Sequence, residues 1–514
     1  LMATTLYGAT IVGVEALGVS VEAQILCSLR RFSLVGLPDN ALRESKDRVR
    51  CAVENSGFSF PMHEVIVSLA PASLPKYGAG FDLTIALSVL AADGKISHSP
   101  ANKYLILGEL ALDGRVKGVP GALAVASYAA SNGFSAVLLP EANAATAAVV
   151  ETIPVFAIKS LVHAVEFLNG NLDIERSLPT TKSPTNGRRY CFGDVVGQHN
   201  AKRALEIATA GGHNLLMVGP PGVGKSMLAK RASSLLPELN REEMIEITKI
   251  HSRSTESPNG QGDFQELITT RPFRNPHHTT STAGLIGGGS NAVPGEISLA
   301  HCGVLFLDEL TEFNRNALES LREPLENRKI TISRANYRIT LPSDFILIAA
   351  MNPCPCGKKG STEQNCTCSL TTMQKYNAKL SAPLLDRIDL HIWVPQISVD
   401  KMQAGNKEAD PTDKMIDSVS RVRQVQSSRY QSHKVLNGTM ATSDIRRFCI
   451  CSSPVSKVVE SAARRLQLSA RGYTRLLKVS RTIADLDDCA EIQEKHVCEA
   501  ISYRSFIKNV PSTV

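Results

Sequence analysis

One stretch of the sequence has the residue types and spacing of a loop that binds phosphate groups. It reads Gly219-Pro220-Pro221-Gly222-Val223-Gly224-Lys225-Ser226. Glycines let the backbone curl so that its N–H groups point at phosphate oxygens, and a following helix directs its positive end at the same anion. Lys225 would place a cation near the β- and γ-phosphates of a nucleotide, and the Ser226 hydroxyl would bind Mg²⁺. The apolar run at 215–218 predicts a strand before the loop, and residues 227–232 predict a helix after it.

Two carboxylates at the end of a second apolar run complement this loop. The run Val304-Leu305-Phe306-Leu307 predicts a buried parallel strand, and Asp308 and Glu309 follow it directly. In an open α/β sheet, ligands bind at the carboxyl ends of the strands. We therefore expect Asp308 to hold Mg²⁺ through its water shell and Glu309 to polarise an attacking water. A solvated acidic pair is the alternative, but it does not account for the phosphate-type loop upstream.

Asn352 follows a third apolar run, residues 345–350, which also predicts a buried strand. Because this strand belongs to the same kind of sheet, Asn352 is expected to orient the same water as Glu309. Its alternative role is to cap the turn after the strand. Arg387 lies among leucines just before a further predicted strand at 391–394, so its charge must be paired. It is either an internal ion-pair partner or a group that reaches the nucleotide of a neighbouring subunit.

Four of the twelve cysteines are close together in the sequence. They are Cys354, Cys356, Cys366 and Cys368. Four soft ligands suit tetrahedral Zn²⁺, but zinc knuckles more often use C-x-x-C spacing than C-x-C. The sequence thus leaves open a zinc site or four reduced thiols.

The elements around these residues predict an α/β protein of several domains, as its 514 residues suggest. Residues 1–170 alternate strands and helices and form a self-contained α/β domain, and 171–191 form a linker rich in polar residues. Residues 192–398 contain the phosphate-type loop, and residues 399–514 are helical after a polar stretch. Residues 271–289, with a polar cluster and three glycines, predict an exposed insertion in which His277 and His278 make polar contacts.

Composition and charge narrow the classes of function. An apolar fraction of 43% and a charged fraction of 20% are ordinary for globular protein. The sequence predicts no membrane span and no secretion signal, so we expect a cytoplasmic protein with reduced cysteines and no membrane partner. The net charge is +7, but residues 421–481 alone carry 13 Lys and Arg against two acids. Such a basic segment indicates a polyanion partner, with a solvated helix face as the alternative.

The N-terminal region resembles the Lon-protease-type, ribosomal S5-like domain. Two stretches carry the resemblance, Gly80-Phe81-Asp82-Leu83-Thr84-Ile85-Ala86-Leu87 and residues 108–116. In active Lon peptidases a nucleophilic serine stands two residues before the position that Asp82 matches, and here that position is Gly80. We therefore expect a scaffold or ring-forming surface without peptidase activity.

Nearly the whole chain resembles the ComM/YifB family, which belongs to the magnesium-chelatase branch of the AAA+ ATPases. The stretch Pro294-Gly295-Glu296-Ile297-Ser298-Leu299-Ala300-His301 leading into Asp308 and Glu309, and the four-cysteine insertion, are specific to that group. The resemblance implies a Lon-like N-domain, a P-loop AAA+ core and an all-α C-terminal lid domain. It implies that Asn352 is sensor 1, Arg387 the arginine finger and Arg471 sensor 2, with Arg475 as second choice.

The same resemblance implies an ATP- and Mg²⁺-dependent motor that forms hexameric rings. Such a motor would act on single-stranded or branched DNA as a helicase, and would promote branch migration in homologous recombination or natural transformation (competence). Two alternatives remain: a magnesium-chelatase ATPase subunit or chaperone-like remodelling ATPase, and a non-enzymatic scaffold. The scaffold would leave Lys225, Asp308 and Glu309 without a purpose.

Overall fold

The computed structural model describes residues 4–37, 39–74, 76–96, 101–179, 190–253, 267–288, 293–334, 337–360, 365–397 and 410–504. The chain divides into two compact units. The first comprises Leu1–Ser183, Asn240–Ile268 and Ser290–Pro294, and the second comprises Pro184–Leu239, Thr269–Gly289 and Gly295–Val514. Within the described ranges, no helix has the length and apolar character needed to cross a membrane.

The first unit is built on a seven-stranded mixed sheet. Its strands lie in the spatial order Phe32–Val35, Glu64–Ala70, Glu15–Leu26, Thr4–Val12, Tyr104–Ile106, Ala136–Pro140 and Val155–Ile158. The other elements are the helices Asn40–Asn55, Asp82–Ala92, Ala122–Ser131, Glu141–Ala147, Leu161–Leu168 and Arg241–His251, the turn Ala79–Phe81, and the short strands Glu109–Leu110, Val116–Lys117 and Val293–Pro294.

Helix Asp82–Ala92 lies in the core of this unit, as its apolar sequence predicts. Asp82 begins the helix and is fully buried, where its carboxylate accepts hydrogen bonds from Ser45 and from Arg48 Nε, the latter at 2.9 Å. Burial raises the pKa of the Asp82 carboxyl, and the bonds from Arg48 and Ser45 oppose that shift. These bonds satisfy a charge that would otherwise be costly to bury.

Helix Arg241–His251 packs in the first unit although its sequence lies within the predicted ATPase domain. An Asn240 capping box starts the helix. Ile245 packs on the apolar cluster around helix Ala122–Ser131, and Arg241 Nε donates to the Val149 carbonyl at 3.0 Å. The packing of this segment is therefore set by side chains that are distant in sequence.

The second unit contains a five-stranded sheet in which every pairing is parallel. Its spatial order is Phe273–Arg274, Val304–Leu307, Ile346–Met351, Leu215–Val218 and Leu390–Trp393. Strand Leu215–Val218, which precedes the phosphate-type loop, lies between two other strands. One is Ile346–Met351, which Asn352 follows, and the other is Leu390–Trp393, which follows Arg387. The three predicted apolar runs at 304–307, 345–350 and 391–394 are thus strands of one sheet, whose carboxyl ends share an edge.

Helices surround this sheet and fill the C-terminal part of the unit. They are His199–Gly211, Lys225–Leu235, Thr282–Ile286, Glu296–Leu299, Arg315–Ser320, Arg322–Asn327, Leu370–Asn377, Ala382–Leu385, Thr412–Tyr430, Thr442–Phe448, Ser453–Arg465, Ala470–Leu486 and Glu494–Ser502, with 3-10 turns at Phe192–Asp194, Leu310–Glu312 and Asn437–Thr439. The strands Lys329–Arg334 and Tyr337–Pro342 form a hairpin, and Gly287–Gly288 is a short strand. The C-terminal helices share one apolar core with the sheet.

The described part of the segment 271–289, residues 271–288, differs from the exposed insertion predicted from its polar sequence. Phe273–Arg274 is a strand of the central sheet and pairs with Val304–Leu307. Arg274 forms a two-bond ion pair with Glu296 at 2.7 Å, and Leu285 is fully buried. The prediction failed because a two-residue strand has no periodicity to detect and because one ion pair neutralises its charge.

Candidate ATP-binding and hydrolysis site

The phosphate-type loop lies between strand Leu215–Val218 and helix Lys225–Leu235, as its sequence predicts. Gly222 and Gly224 have positive φ angles of 78° and 88°, a region that favours glycine. A Cβ on Gly219 would lie 2.3 Å from the Val394 carbonyl oxygen, so only glycine fits where the loop passes the neighbouring strand. The loop therefore has a shape in which the N–H groups at the start of helix Lys225–Leu235 point at a single anion-binding position.

Lys225 is held inside this loop by three oxygen atoms. Its Nζ donates to the carbonyls of Gly219 and Pro220 at 2.7 and 2.9 Å, and to Asn352 Oδ1 at 3.2 Å. Burial lowers the pKa of the Lys225 ammonium, and the carboxylates of Asp308 and Glu309 oppose that shift. The ammonium is thus preorganised beside the strand that ends at Asn352.

Ser226 and Asp308 are in direct contact at the carboxyl edge of the sheet. The Ser226 hydroxyl donates to Asp308 Oδ2 at 2.6 Å, and the other Asp308 oxygen accepts from the Glu309 backbone N–H at 3.0 Å. A hydroxyl and a carboxylate are the oxygen ligands that Mg²⁺ prefers. The donor set therefore fits a magnesium ion next to bound phosphates.

Glu309 faces a residue that the sequence analysis assigned only a polar contact. Its side chain is exposed, its φ angle is 51°, and its Oε2 lies 3.3 Å from His278 Nδ1. The His278 ring stacks on that of His277 with 4.1 Å between centroids. The sequence could have indicated this contact only through strand Phe273–Arg274, which precedes His278 and pairs with strand Val304–Leu307, the strand before Asp308. A strand of two residues is too short to be predicted from sequence.

The two predicted arginine functions converge on one carboxylate, Glu326. Arg387 is buried, pairs with Glu326 and donates from Nη1 to the Pro383 carbonyl at 2.7 Å. Arg471 is exposed and reaches the other Glu326 oxygen at 2.9 Å. The hydrogen bond from Arg387 lowers the pKa of Glu326, and the charges of both arginines add to that effect. Both arginines therefore meet at the carboxylate of Glu326.

Arg475, the second choice for sensor 2, has a different partner. Its Nη1 lies 2.8 Å from Asp389 Oδ1, and Asp389 is buried. Desolvation alone would raise the pKa of Asp389, but Arg475 and His213 hold it well below its ordinary value. Because removing one member of a buried pair leaves an uncompensated charge, this contact gives Arg475 a structural role.

The four clustered cysteines come together as their spacing suggests. Their ligand atoms all lie within 4.8 Å of one another, and Cys354 is buried. Hydrogen bonding by the Lys358 backbone lowers the pKa of Cys356 to about 6, whereas burial raises the pKa of Cys354 to about 12. The geometry fits one soft metal ion.

The excess positive charge of residues 421–481 is partly compensated within the unit. Several of its cations bond to carboxylates or carbonyl oxygens of the same unit: Arg421, Arg423, Arg429, Arg471, Arg475, Lys478 and Arg481. Exposed cations remain on helices Thr442–Phe448 and Ser453–Arg465: Arg446, Arg447, Lys457, Arg464 and Arg465. Lys457, Arg464 and Arg465 share one face because they are seven and eight residues apart. The charge available to a polyanion is thus smaller than the sequence count.

Three family profiles match this chain. Their descriptions are "Magnesium chelatase, subunit ChlI" for residues 191–402, "Subunit ChlI of Mg-chelatase" for residues 21–143 and "Magnesium chelatase, subunit ChlI C-terminal" for residues 409–504. Together they span the sheet with the phosphate-type loop, most of the first unit's sheet and the C-terminal helices.

Some relatives match over nearly the full chain, and another matches about a third of it. The uncharacterized protein YifB of Salmonella typhimurium is 41% identical over 496 residues, which cover 96% of this chain and 95% of YifB. The competence protein ComM of Haemophilus influenzae is 39% identical over 506 residues, 98% of this chain and 97% of ComM. Lon protease 2 of Bacillus subtilis is 28% identical over 189 residues, 33% of this chain and 34% of that protein.

Proposed function

The chain belongs to the ComM/YifB family of magnesium-chelatase-like AAA+ ATPases, and from this premise we propose that it is an ATP-driven motor acting on branched DNA. The proposed ATP hydrolysis rests on one observation: Lys225 bonds to Asn352, and Ser226 bonds to Asp308, at the carboxyl edge of the sheet. The proposed action on DNA rests on the exposed cations of the C-terminal helices and on the relative whose name refers to competence. We further propose that the chain works in the cytoplasm as a hexameric ring.

The proposed hydrolysis uses groups that the structure already positions. Lys225 exchanges its bonds to the loop carbonyls for bonds to phosphate oxygens, and the N–H groups of the loop and helix bind the same anion. Ser226 and Asp308 would hold Mg²⁺, which neutralises charge on the phosphates. Glu309 accepts a proton from the attacking water after its side chain leaves His278, and Asn352 orients that water.

In this proposal the cluster of Arg387, Arg471 and Glu326 completes the site between subunits. Arg387 leaves Glu326 and stabilises the developing charge on a nucleotide bound by a neighbouring subunit, while Arg471 responds to nucleotide in its own chain. Glu326 keeps both arginines paired when no phosphate is near. Its carboxylate is 45% exposed, so the pairs are accessible to competing anions.

The exposed face of helix Ser453–Arg465 is the proposed DNA contact. Replacing Arg464 and Arg465 together with Ala should weaken binding about equally on all sequences, because phosphate contacts carry no base information. The salt dependence should fall by about one unit of slope for each arginine removed. Arg43 and Lys103, exposed cations of the first unit, provide a control pair with the same loss of charge. Equal effects of the two pairs would place DNA elsewhere.

The deciding experiment compares ATP hydrolysis without DNA and with single-stranded, duplex and branched DNA at one salt concentration. Stimulation that is largest with branched DNA supports the motor. Hydrolysis that ignores all three DNA forms contradicts it.

A magnesium-chelatase ATPase subunit is the second candidate, because all three matching profiles carry that description. If chelatase ATPase subunits resembled only the ATPase core and the C-terminal domain of this chain, residues 1–170 would count against this candidate. The profile over residues 21–143 removes that argument, since it also refers to the chelatase subunit. ATP hydrolysis that responds to a chelatase partner complex and Mg²⁺-porphyrin formation, but not to DNA, would favour this candidate.

A further inference from the structure

The cysteine cluster has the dimensions of a mononuclear tetrahedral metal site. Cys354 Sγ lies 3.4 Å from Cys356 Sγ and 3.6 Å from Cys366 Sγ, and the sulfurs of Cys356 and Cys366 are 3.6 Å apart. Four sulfurs at about 2.3 Å from one Zn²⁺ would be separated by about 3.8 Å along each tetrahedral edge. A disulfide would instead require about 2.05 Å, so these contacts are those of separate thiols converging on one point.

Backbone N–H groups of the same turn support sulfur ligands. The Lys358 backbone bonds to Cys356, and the Lys359 backbone bonds to Cys354. Gly357, which follows Cys356 directly, has a φ angle of 74°, and its N–H donates to the Cys354 carbonyl at 2.9 Å. Such outer bonds orient metal ligands and stabilise the negative charge of thiolates.

One side of this turn touches the phosphate-type loop. A Cβ built on Gly357 would lie 2.8 Å from Pro221 Cδ and 3.1 Å from its Cγ, so the two loops meet without room for a side chain. The turn also begins two residues after Asn352, which bonds to Lys225. The cysteine turn is therefore linked to the phosphate-type loop in two ways, through the contact of Gly357 with Pro221 and through the bond of the nearby Asn352 to Lys225.

The other side of the insertion touches the segment that follows Glu309. Helix Leu370–Asn377 begins two residues after Cys368, and its Tyr376 hydroxyl lies 2.6 Å from the Thr311 hydroxyl. Thr311 is buried and belongs to the turn Leu310–Glu312, which starts directly after Glu309. Lys379 adds an ion pair with Glu312 at 3.5 Å.

We propose that Cys354, Cys356, Cys366 and Cys368 bind one Zn²⁺ and that this zinc site braces the nucleotide pocket. The metal ties the turn that presses on Pro221 to the segment that positions Tyr376 against Thr311. The metal part of this inference stands on the cysteines alone. The claim that zinc stabilises the nucleotide pocket rests on the proposed nucleotide site. Zinc content is therefore measured separately from nucleotide binding, so that a failure of the zinc assignment can be distinguished from a failure of the nucleotide site.

The test begins with the metal content of the purified full chain and of Cys366→Ser, with Cys498→Ser as the control because Cys498 is an exposed cysteine outside the cluster. We expect one zinc per chain in the parent and the control, and its loss in Cys366→Ser. Cobalt substitution should give the intense visible bands of tetrahedral thiolate in the first two proteins only. Under about a tenth of an equivalent of metal, or iron in place of zinc, overturns the tetrahedral zinc assignment.

The second part measures the affinity for a fluorescent ATP analogue in zinc-loaded and chelator-treated protein that retains its circular dichroism spectrum. We expect the dissociation constant to rise by about 5- to 150-fold on zinc removal, the usual range for coupling between two sites. Gly357→Ala keeps all four ligands but has no space beside Pro221, so it should retain zinc and still bind the analogue more weakly. Unchanged affinity in both stripped protein and Gly357→Ala overturns the brace, even with zinc present.

Discussion

Replacement of Arg387 by Ala separates a role in hydrolysis from a role in stability. The substitution removes the hydrogen bonds to Glu326 and to the Pro383 carbonyl, and a typical intramolecular hydrogen bond contributes about 0.5–1.5 kcal/mol of net stability. Glu326 is 45% exposed and keeps Arg471 as a partner, so no unpaired buried charge is left. We therefore expect the free energy of unfolding to fall by only about 1–3 kcal/mol.

The expected loss of activity is much larger. An arginine that stabilises the transferring phosphate contributes about 10³–10⁵ in rate, or about 4–7 kcal/mol of barrier. Glu326→Gln is the matched control, because it removes the same ion pair and retains the Arg387 guanidinium. If Arg387 serves the nucleotide, Glu326→Gln should keep activity within about tenfold of the parent, because the amide oxygen of Gln still accepts a hydrogen bond from the retained Arg387 guanidinium. Equal losses in the two variants would mean that Arg387 acts only through Glu326.

Mixing experiments then show whether Arg387 acts across a subunit boundary. Arg387→Ala chains and Glu309→Gln chains are each expected to be inactive in ATP hydrolysis. Rings that contain both should recover some activity, because certain interfaces pair an intact Arg387 with an intact Glu309. The refuting result is no recovery at any mixing ratio once mixed rings have been confirmed by mass spectrometry.

Three further predictions follow from single residues. Lys225→Ala should abolish binding of a fluorescent ATP analogue, while Glu309→Gln should bind it and hydrolyse ATP very slowly; normal turnover in the second variant would exclude Glu309 as the base. The first unit should have no serine-peptidase activity, because Gly80 offers no nucleophile, and casein cleavage by the pure protein would contradict this. Burial lowers the pKa of His391 in the folded chain to about 3, whereas histidine in an unfolded chain titrates near about 6.5. As the pH falls from about 6.5 toward 3, the unfolded chain therefore binds a proton before the folded chain does, and the free energy of unfolding should decrease. Urea denaturation at pH 7 and pH 5 should show a smaller loss in His391→Leu, and equal losses would be contrary to expectation.

Local patterns were sufficient to predict the parallel sheet and the residues at its edge. The short apolar runs of the second unit, such as Leu215–Val218 and Val304–Leu307, are strands, because strands buried on both faces have few polar residues to obscure them. The parallel pairing brings Asp308 and Asn352 to one edge, since parallel strands end at the same side. These features depend on neighbours in sequence and so are readable from it.

Features that depend on distant partners were not predictable in this way. Glu326 has no motif, and its importance appears only when Arg387 and Arg471 are seen to share it. Charge counting in sequence likewise cannot show which cations are already paired within the fold.

A synthetic four-way DNA junction tests the central claim most directly. The assembled protein is incubated with the junction, ATP and Mg²⁺, and the separation of the junction into two duplexes is followed by gel electrophoresis, with Glu309→Gln as the control that binds ATP without turnover. The account predicts ATP-dependent resolution by the parent protein and none by the control. A protein that hydrolyses ATP at a normal rate but neither binds nor resolves the junction would contradict the DNA-motor function.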